Sequence, residues 1–196
     1  YATDASSYRE MPLAVAIPKT KAEIASLISF AATNNTSLIP RTAGTSLAGQ
    51  VVGNGIIVDV SKHFTKILEL NKEEGWVRVE PGVIRDELNL FLKPHGLFFG
   101  PETSTANRAM IGGMVGNNSC GSNSVIYKST REHLLEVTAF LSDGTEVVFN
   151  TISNDDFHAK CALDTLEGKI YKSVRSMLSN YDNQQEIKKE FPNKEK

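Results

Sequence analysis

The chain has 196 residues, which is long enough to bury the core of one substantial domain or of two small ones. Its 21 basic and 23 acidic side chains leave a formal charge of -2, so counterion release gives no clear drive for nucleic-acid binding, and a polyanionic partner is not expected. Cys120 and Cys161 form neither a disulfide framework nor a metal cluster, which predicts a reducing compartment and no metal site.

The apolar stretches are too short for a membrane-spanning helix, which needs roughly twenty residues. The N-terminus "YATDASSYRE" lacks the basic start and apolar core of a signal peptide. We therefore expect a cytoplasmic protein, with a peripheral position at the inner face of a membrane as the alternative for a full-length protein. The missing initial methionine and the charged end "IKKEFPNKEK" indicate a piece of a longer chain.

The predicted elements begin with a β-α-β pattern. The run "AVAIP" predicts a short strand, and Thr20 and Glu23 then stand at capping-box spacing before a helical period. "TSLIP" predicts a second strand and "GIIVDV" a buried third one. The stretch between them, "RTAGTSLAGQ" at residues 41–50, is called the opening loop here. It follows the carboxyl end of a strand, where α/β sheets usually bind ligands.

Further along the chain, hairpins and helices are predicted. "KILELN" and "WVRVEP" indicate an antiparallel pair around "KEEG", residues 83–92 have helical spacing, and "GLFFGP" predicts another short strand. Residues 101–124 predict a long loop without secondary structure, which is usually functional. A hairpin is expected around Asp143–Gly144, and a helical period runs from Leu166 to Leu178.

These elements predict an α/β (α+β) fold with two subdomains. A small β-α-β subdomain is expected over residues 1–61, and a larger, mainly antiparallel sheet flanked by helices over residues 62–150. Residues 151–196 are expected to form a helical extension.

Three kinds of phosphate site use a glycine-rich loop that follows a strand, and the opening loop fits only one of them. Gly44 and Gly49 have the spacing of a Walker loop, but Gln50 and Val51 stand where triphosphate chemistry needs lysine and a hydroxyl. The glycine spacing also differs from the Rossmann fingerprint. The third kind is a nest of backbone N–H groups, with hydroxyls and Arg41 adding donors and charge. A plain turn between strands stays open as an alternative to all three.

A second glycine-rich segment, "IGGMVGNNSCG" at residues 111–121, is called the second loop here. Its presence favours the anion nest over a plain turn between strands. With "RTAGTS", "VEPG" and "GPETST", the second loop resembles the flavin domain of the vanillyl-alcohol oxidase/p-cresol methylhydroxylase family, over residues 1–150. "YATDASSYREMPLAVAIPKT" is similar to the start of that domain in the D-lactate and glycolate oxidase branch. The stretch from "EEGWVRVEPG" to "IGGM" resembles D-2-hydroxyacid dehydrogenases fused to an iron–sulfur module.

The resemblance implies FAD as the cofactor, lying between the two subdomains. It places the pyrophosphate on the first half of the opening loop, with Ser46 as the main hydroxyl donor, the ribityl and ring side on residues 101–104, and a cover from the second loop. The implied binding residues are Arg41, Thr42, Ala43, Gly44, Thr45, Ser46, Leu47, Pro101, Glu102, Thr103, Ser104, Gly112, Gly113, Asn118, Ser119, Gly121 and, at the adenine end, Val137.

Two positions depart from relatives of the family. Thr45 stands where relatives with covalent flavin have histidine, so the resemblance implies non-covalent FAD. Lys128 follows Tyr127 where the family commonly has glycine, which puts the local backbone path in question. Cys120 is expected to be a small buried space-filler. Two arginines and all four histidines are expected to be structural or solvated rather than catalytic: Arg108, Arg131, His63, His95, His133 and His158.

The function implied by the resemblance is oxidation of a 2-hydroxyacid of the D-lactate, glycolate or D-2-hydroxyglutarate type, by hydride transfer to FAD. An iron–sulfur module or a quinone is the expected electron acceptor, and any iron–sulfur cluster would belong to a region outside this chain. The resemblance implies that residues 151–196 stop before a separate substrate domain, which would supply the catalytic base, and the base is not identified by the sequence. The alternatives are a non-catalytic α/β interaction module and a related flavin enzyme, such as an amino-sugar nucleotide reductase.

Overall fold

A three-stranded parallel sheet organises the first part of the chain. The structure, a computed structural model, describes residues 1–191. The strands are β1 (Ala14–Ala16), β2 (Leu38–Arg41) and β3 (Ile56–Asp59), in the spatial order β1-β3-β2. Every residue of β3 is buried, as its apolar run predicts for a central parallel strand. The helix α1 (Lys21–Thr33) connects β1 to β2, so the β-α-β prediction is confirmed, with β3 inserted between the two strands.

The start of α1 is capped as its sequence predicts. The Thr20 hydroxyl accepts a hydrogen bond from the Glu23 backbone N–H at 3.2 Å. The Glu23 carboxylate accepts from the backbone N–H of Lys19, one residue before the cap, at 2.6 Å. Both bonds satisfy backbone N–H groups at the helix start, which contributes on the order of 1 kcal/mol to helix stability.

An antiparallel hairpin and a helix form the adjoining core. The strands β4 (Ile67–Asn71) and β5 (Trp76–Val79) pair around the turn that ends at Gly75, as predicted. The helix α2 (Arg85–Leu92) follows and continues into a 3-10 turn at Lys93–His95. Val83, Leu88 and Leu92 are buried there, and partly buried side chains of the hairpin pack against them.

The strand predicted for "GLFFGP" is wrong, because this segment has no ladder partner in the described structure. Its backbone is bound by side chains of α2 instead. The Phe99 N–H donates to Asn89 Oδ1 at 2.7 Å, and the Phe99 carbonyl accepts from Asn89 Nδ2 at 3.2 Å. One asparagine therefore supplies the donor and the acceptor that a neighbouring strand would provide.

The prediction of a long loop without secondary structure at residues 101–124 is also wrong in part. The helix α3 (Ile111–Gly116) lies within it, and α4 (Ser124–Tyr127) begins at its end. Glycine has a low helix propensity, and half of α3 is glycine, so local sequence does not indicate a helix. Burial of Met114, which is 2% exposed, supplies the tertiary contact that overrides this propensity.

The chain divides into two compact units, Tyr1–Leu134 and the residues from Leu135 onward. The second unit contains the hairpin β6 (Glu136–Phe140) and β7 (Glu146–Asn150), then α5 (Asn154–Ala162), α6 (Leu166–Ser179) and α7 (Tyr181–Glu190). Among the described residues, the antiparallel strands form two separate pairs, β4-β5 and β6-β7.

The α/β class predicted from sequence is confirmed by this mixture of parallel and antiparallel strands with helices. The subdomain boundaries at residues 61 and 150 stay predictions. The part of the extension beyond residue 191 lies outside the described residues. Among residues 1–191, no helix is both long enough and apolar enough to cross a membrane.

Candidate cofactor site

The opening loop leaves β2 at the carboxyl edge of the parallel sheet and presents a run of backbone donors. In the described structure, the N–H groups of residues 43–47 donate no hydrogen bond to the protein. Gly44 has φ +68°, a left-handed conformation that lets successive N–H groups converge. Successive N–H groups without a protein acceptor, in a turn of this kind, can bind an anion such as a phosphate.

Ser46 shapes this loop from within. Its hydroxyl oxygen accepts from the backbone N–H groups of Ala48, at 3.2 Å, and Gln50, at 3.3 Å. The same hydroxyl donates to Gln50 Oε1 at 2.5 Å. The side chain that the resemblance implies as the main hydroxyl donor is therefore engaged in forming the turn, which leaves backbone N–H groups as the loop's main donors.

Arg41 lies beneath the loop. Its Nη1 donates to the carbonyls of Tyr1, at 3.4 Å, and Val51, at 3.3 Å. A Cβ atom on Gly44 would overlap the Arg41 guanidinium. The guanidinium thus supports the backbone of the loop from the side of Gly44 and brings a positive charge close to the N–H run.

The second loop lies against the opening loop. A Cβ atom on Gly113 would come within 2.5 Å of Thr42 Oγ1, and one on Gly112 would overlap the ring of Pro81. Gln50 Nε2 also donates to Asn117 Oδ1, at the end of α3, at 2.8 Å. Both glycines are needed for this close packing, and the structure thus brings the two predicted loops together. The hydrogen bond between Gln50 and Asn117 was not indicated by the sequence motifs.

The predicted segment 101–104 meets the second loop on another side. The backbone carbonyl of Glu102 occupies the space that a Cβ of Gly121 would need. Asn123 Nδ2 donates to Glu102 Oε2 at 2.9 Å, and Arg85 Nε donates to the Pro101 carbonyl at 3.1 Å. Arg85 was not identified from the sequence, since its role depends on a contact with a segment distant along the chain.

An open cleft of about 670 Å³ runs along this segment, a volume in the range of small-molecule sites. It is lined by Asp86, Glu102, Thr103, Ser104, Ala106, Asn107, Arg108, Gly121 and Ser122. Three segment residues and Gly121 of the predicted set therefore share one cleft. Arg108 lies at this cleft and donates to Asn107 Oδ1 at 3.0 Å.

Asn118 and Ser119 fasten the end of the second loop to residues 129–131. Asn118 Oδ1 accepts from Ser129 Oγ and from the Arg131 N–H, both at 2.9 Å. The Ser119 carbonyl accepts from the buried Thr130 hydroxyl at 2.7 Å. The side-chain oxygen of Asn118 thus has a structural role in holding the loop.

Glu132 completes this fastening. Hydrogen bonds from Ser129 and then from Arg131 lower the pKa of Glu132 to about 2. Its carboxylate accepts from the Ser129 backbone N–H at 3.0 Å and thereby closes a capping box. The end of the second loop therefore has an ionised anchor at all ordinary pH values.

The remaining predicted residues lie as follows. Cys120 is exposed, so the prediction of a buried space-filler is wrong; within the second loop it is Met114 that is buried. Val137 lies on β6 in the second compact unit. His133 Nε2 donates to the Tyr127 carbonyl at 2.6 Å. Across residues 1–191, no three His, Cys, Asp or Glu side chains gather as metal ligands.

Residues 12–150 match a protein-family model described as an FAD binding domain. The chain belongs to this family of FAD-binding domains. The family predicted from the two loops is therefore confirmed, and FAD is the cofactor that it binds.

Relatives with named activities match most of this chain. D-2-hydroxyglutarate dehydrogenase of Haemophilus influenzae is 46% identical over 158 residues, covering 79% of this chain and 15% of the relative. The mitochondrial D-lactate dehydrogenase [cytochrome] of Kluyveromyces lactis is 33% identical over 142 residues, covering 70% of this chain and 24% of the relative. The FAD-binding domain thus spans less than a quarter of the length of these two relatives.

A solved structure shares the fold of the FAD-binding domain. It is an alkyldihydroxyacetonephosphate synthase, with a TM-score of 0.61 and 18% sequence identity, covering 72% of this chain and 26% of that chain. At this identity the similarity concerns the fold alone.

Proposed function

We propose that the chain is the FAD-binding part of an oxidoreductase that oxidises a 2-hydroxyacid of the D-2-hydroxyglutarate, D-lactate or glycolate type. The observation that carries the cofactor site is the run of N–H groups at residues 43–47, which donate to no group of the described structure. Five neighbouring donors over a positively charged guanidinium suit the two phosphates of FAD. The named activities of the relatives support the substrate class.

The other predicted segments would hold the rest of the cofactor. Within the predicted segment 101–104, Glu102, Thr103 and Ser104 line the cleft and offer a carboxylate and hydroxyls for the ribityl chain and ring edge. Gly112, Gly113 and Gly121 let the second loop pack closely against its neighbours and cover the site. Bound FAD would supply the acceptor for the hydride that leaves the hydroxyacid carbon. Val137 is proposed to meet the adenine end through its backbone.

FAD is proposed to be held without a covalent bond. Thr45 has a hydroxyl group at the position where relatives with covalently bound flavin have the nucleophilic imidazole of histidine. Denaturing the purified holoprotein in acid should release all of its flavin into the supernatant. Flavin that stays with the precipitated protein, or an added FAD mass on the polypeptide, would contradict this proposal.

The site is tested by FAD titration of the apoprotein, with flavin fluorescence as the readout. Ser46→Asp keeps an oxygen acceptor for the N–H groups of Ala48 and Gln50 but places a negative charge beside the proposed phosphates. We expect FAD affinity to fall by at least tenfold. Ser46→Asn, which keeps the acceptor without the charge, is the matched control and should lose much less.

Gly113→Val is the second test of the site, because its side chain would press on Thr42 of the opening loop. FAD uptake should fall here also. Unchanged affinity in both Ser46→Asp and Gly113→Val would show that the site assignment is wrong, even if the protein binds flavin. Failure of the unaltered protein to take up FAD would favour a non-catalytic module.

The substrate class is tested on the complete polypeptide that carries this sequence. D-2-hydroxyglutarate, D-lactate and glycolate are supplied singly, without oxygen or any other electron acceptor, so that the electrons stay on the flavin and bleaching of its absorbance band is recorded. We expect bleaching with one or more of them and none with the L-enantiomers of the first two. The proposed physiological acceptor, an iron–sulfur module or a quinone, is tested by iron analysis and by quinone reduction. The proposed cytoplasmic location is tested by cell fractionation.

A further inference from the structure

The first ten residues form a small folded unit, which we call the N-terminal clip (residues 1–10). Thr3 and Arg9 form an antiparallel bridge, and the Glu10 N–H donates to the Ala2 carbonyl at 3.0 Å. Inside the turn, the Asp4 carboxylate accepts from the Ser6 backbone N–H at 2.8 Å and from the Ser6 hydroxyl at 2.5 Å. Hydrogen bonds within residues 1–10 thus hold the clip together independently of its contacts with the rest of the chain.

The clip contacts the opening loop at two points. The Ala5 N–H donates to the Ser46 carbonyl at 3.1 Å. The Tyr8 ring lies against Gly49, where a Cβ atom would come within 2.7 Å of Tyr8 Cδ2. One contact lies at the start of the turn that Ser46 forms and the other near its end, so the clip holds the second half of the loop.

Tyr1 joins the clip to the sheet below the loop. Its hydroxyl donates to the buried Asp59 carboxylate at 2.6 Å, at the carboxyl end of β3. Its ring lies 5.5 Å from Arg41 Cζ, and its carbonyl accepts from Arg41 Nη1. The clip is therefore connected to the same arginine that supports the N–H run.

The bond to Ser46 has a direct effect on the proposed phosphate site. In a trans peptide the N–H of one residue points opposite to the carbonyl of the residue before it. When the Ser46 carbonyl points to Ala5, the Leu47 N–H must point away from the clip and is held in that direction. An ordered donor loses less entropy on binding an anion than a freely rotating peptide would.

We propose that the N-terminal clip positions the opening loop for the diphosphate of FAD, with Ala5 and Tyr8 as positioning residues. The proposal rests on the proposed function, because it assumes that the opening loop binds FAD. Tyr8 is 62% exposed, so its ring adds little to the core. Its loss should therefore affect the loop much more than the fold.

The test uses the complete polypeptide, freed of flavin and titrated with FAD. Ala5→Pro removes the N–H that binds the Ser46 carbonyl, and FAD affinity should fall about fivefold to tenfold, the value of one lost hydrogen bond. Ser7→Pro is the matched control, because the Ser7 N–H donates to no group within residues 1–191. Tyr8→Ala should weaken FAD binding, and Tyr8→Phe, which retains the ring, should restore it.

The unfolding temperature of the flavin-free protein separates positioning from folding. It should stay within about 2 °C of the parent value in Tyr8→Ala, because an exposed ring contributes little to stability. Equal FAD affinity in the parent, Ala5→Pro and Tyr8→Ala overturns the proposal, as does an equal loss in Ser7→Pro and Ala5→Pro. If the parent itself takes up no FAD, the proposed function has failed and the clip proposal fails with it.

Discussion

Lys128 has a backbone conformation that is normally confined to glycine, with φ 61° and ψ -159°. Its neighbours are held on both sides. The Tyr127 carbonyl accepts from His133, and the Ser129 hydroxyl donates to Asn118. The backbone at Lys128 therefore follows a path typical of glycine although the side chain is lysine.

Replacing Lys128 by glycine should therefore stabilise the protein. The strain of such a conformation costs about 1–3 kcal/mol, and glycine loses roughly 0.5–1 kcal/mol through its larger unfolded-state entropy. We expect a net gain of about 1 kcal/mol in the free energy of unfolding, measured with urea. Lys72→Gly, at an exposed lysine without positive φ, is the control and should not stabilise. A loss of stability in Lys128→Gly would show that the backbone of Lys128 is not strained.

At the scale of elements, α2 and the segment after it illustrate how a side chain replaces a strand. The segment at residues 97–100 has the composition of a strand, but Asn89 binds both backbone groups of Phe99, and Arg85 Nη2 also donates to the Phe99 carbonyl. The consequence is a fixed path into Pro101, which directly precedes the cleft-lining residues Glu102, Thr103 and Ser104.

Asn89→Ala should destabilise the protein by about 1–3 kcal/mol, because it leaves the half-buried Phe99 N–H without a partner. The better helix propensity of alanine opposes only part of this loss. Asn89→Asp keeps the acceptor for that N–H and should lose less than alanine. The measurement is the urea midpoint, with Leu90→Ala, at a side chain 70% exposed on the same helix, as the control. Equal midpoints for Asn89→Ala and Leu90→Ala would refute the role of Asn89.

At the scale of the whole molecule, two carboxylates connect the N-terminal clip to acid stability. Burial acts to raise the pKa of Asp59, but hydrogen bonds from Ser61 and Tyr1 outweigh it, and the pKa is lowered. For Asp4, burial likewise acts to raise the pKa, while hydrogen bonds from Ser6 and the charge of Arg41 lower it overall. Both groups therefore favour the folded state when they are ionised.

A lowered folded-state pKa means that this stabilisation is complete above the unfolded pKa of about 3.9 and is lost as pH falls through the folded value. We expect the free energy of unfolding to decrease below about pH 4. Asp59→Asn should show a shallower decrease over the same range. Urea unfolding at several pH values from 7 down to 3 tests this, and parallel curves for the two proteins would be the contrary result.

Much of this protein was predictable because its signals are local. Alternation, apolar runs and caps depend on residues near one another in the chain, so the β-α-β unit, both hairpins, the helix at Arg85–Leu92 and the start of α1 were all predicted. The two glycine-rich loops were paired in another way, through the resemblance that they carry together with "VEPG" and "GPETST", and the family that this resemblance indicates was confirmed.

Contacts between distant segments were decided only by the tertiary structure. The glycine-rich helix α3 forms because Met114 is buried, and the strand expected at "GLFFGP" is absent because Asn89 binds its backbone. Cys120 faces outward although its small size suggested burial. The clip on the opening loop joins residues about forty positions apart. Local sequence cannot specify such contacts, because their energy depends on which surfaces the folded chain brings together.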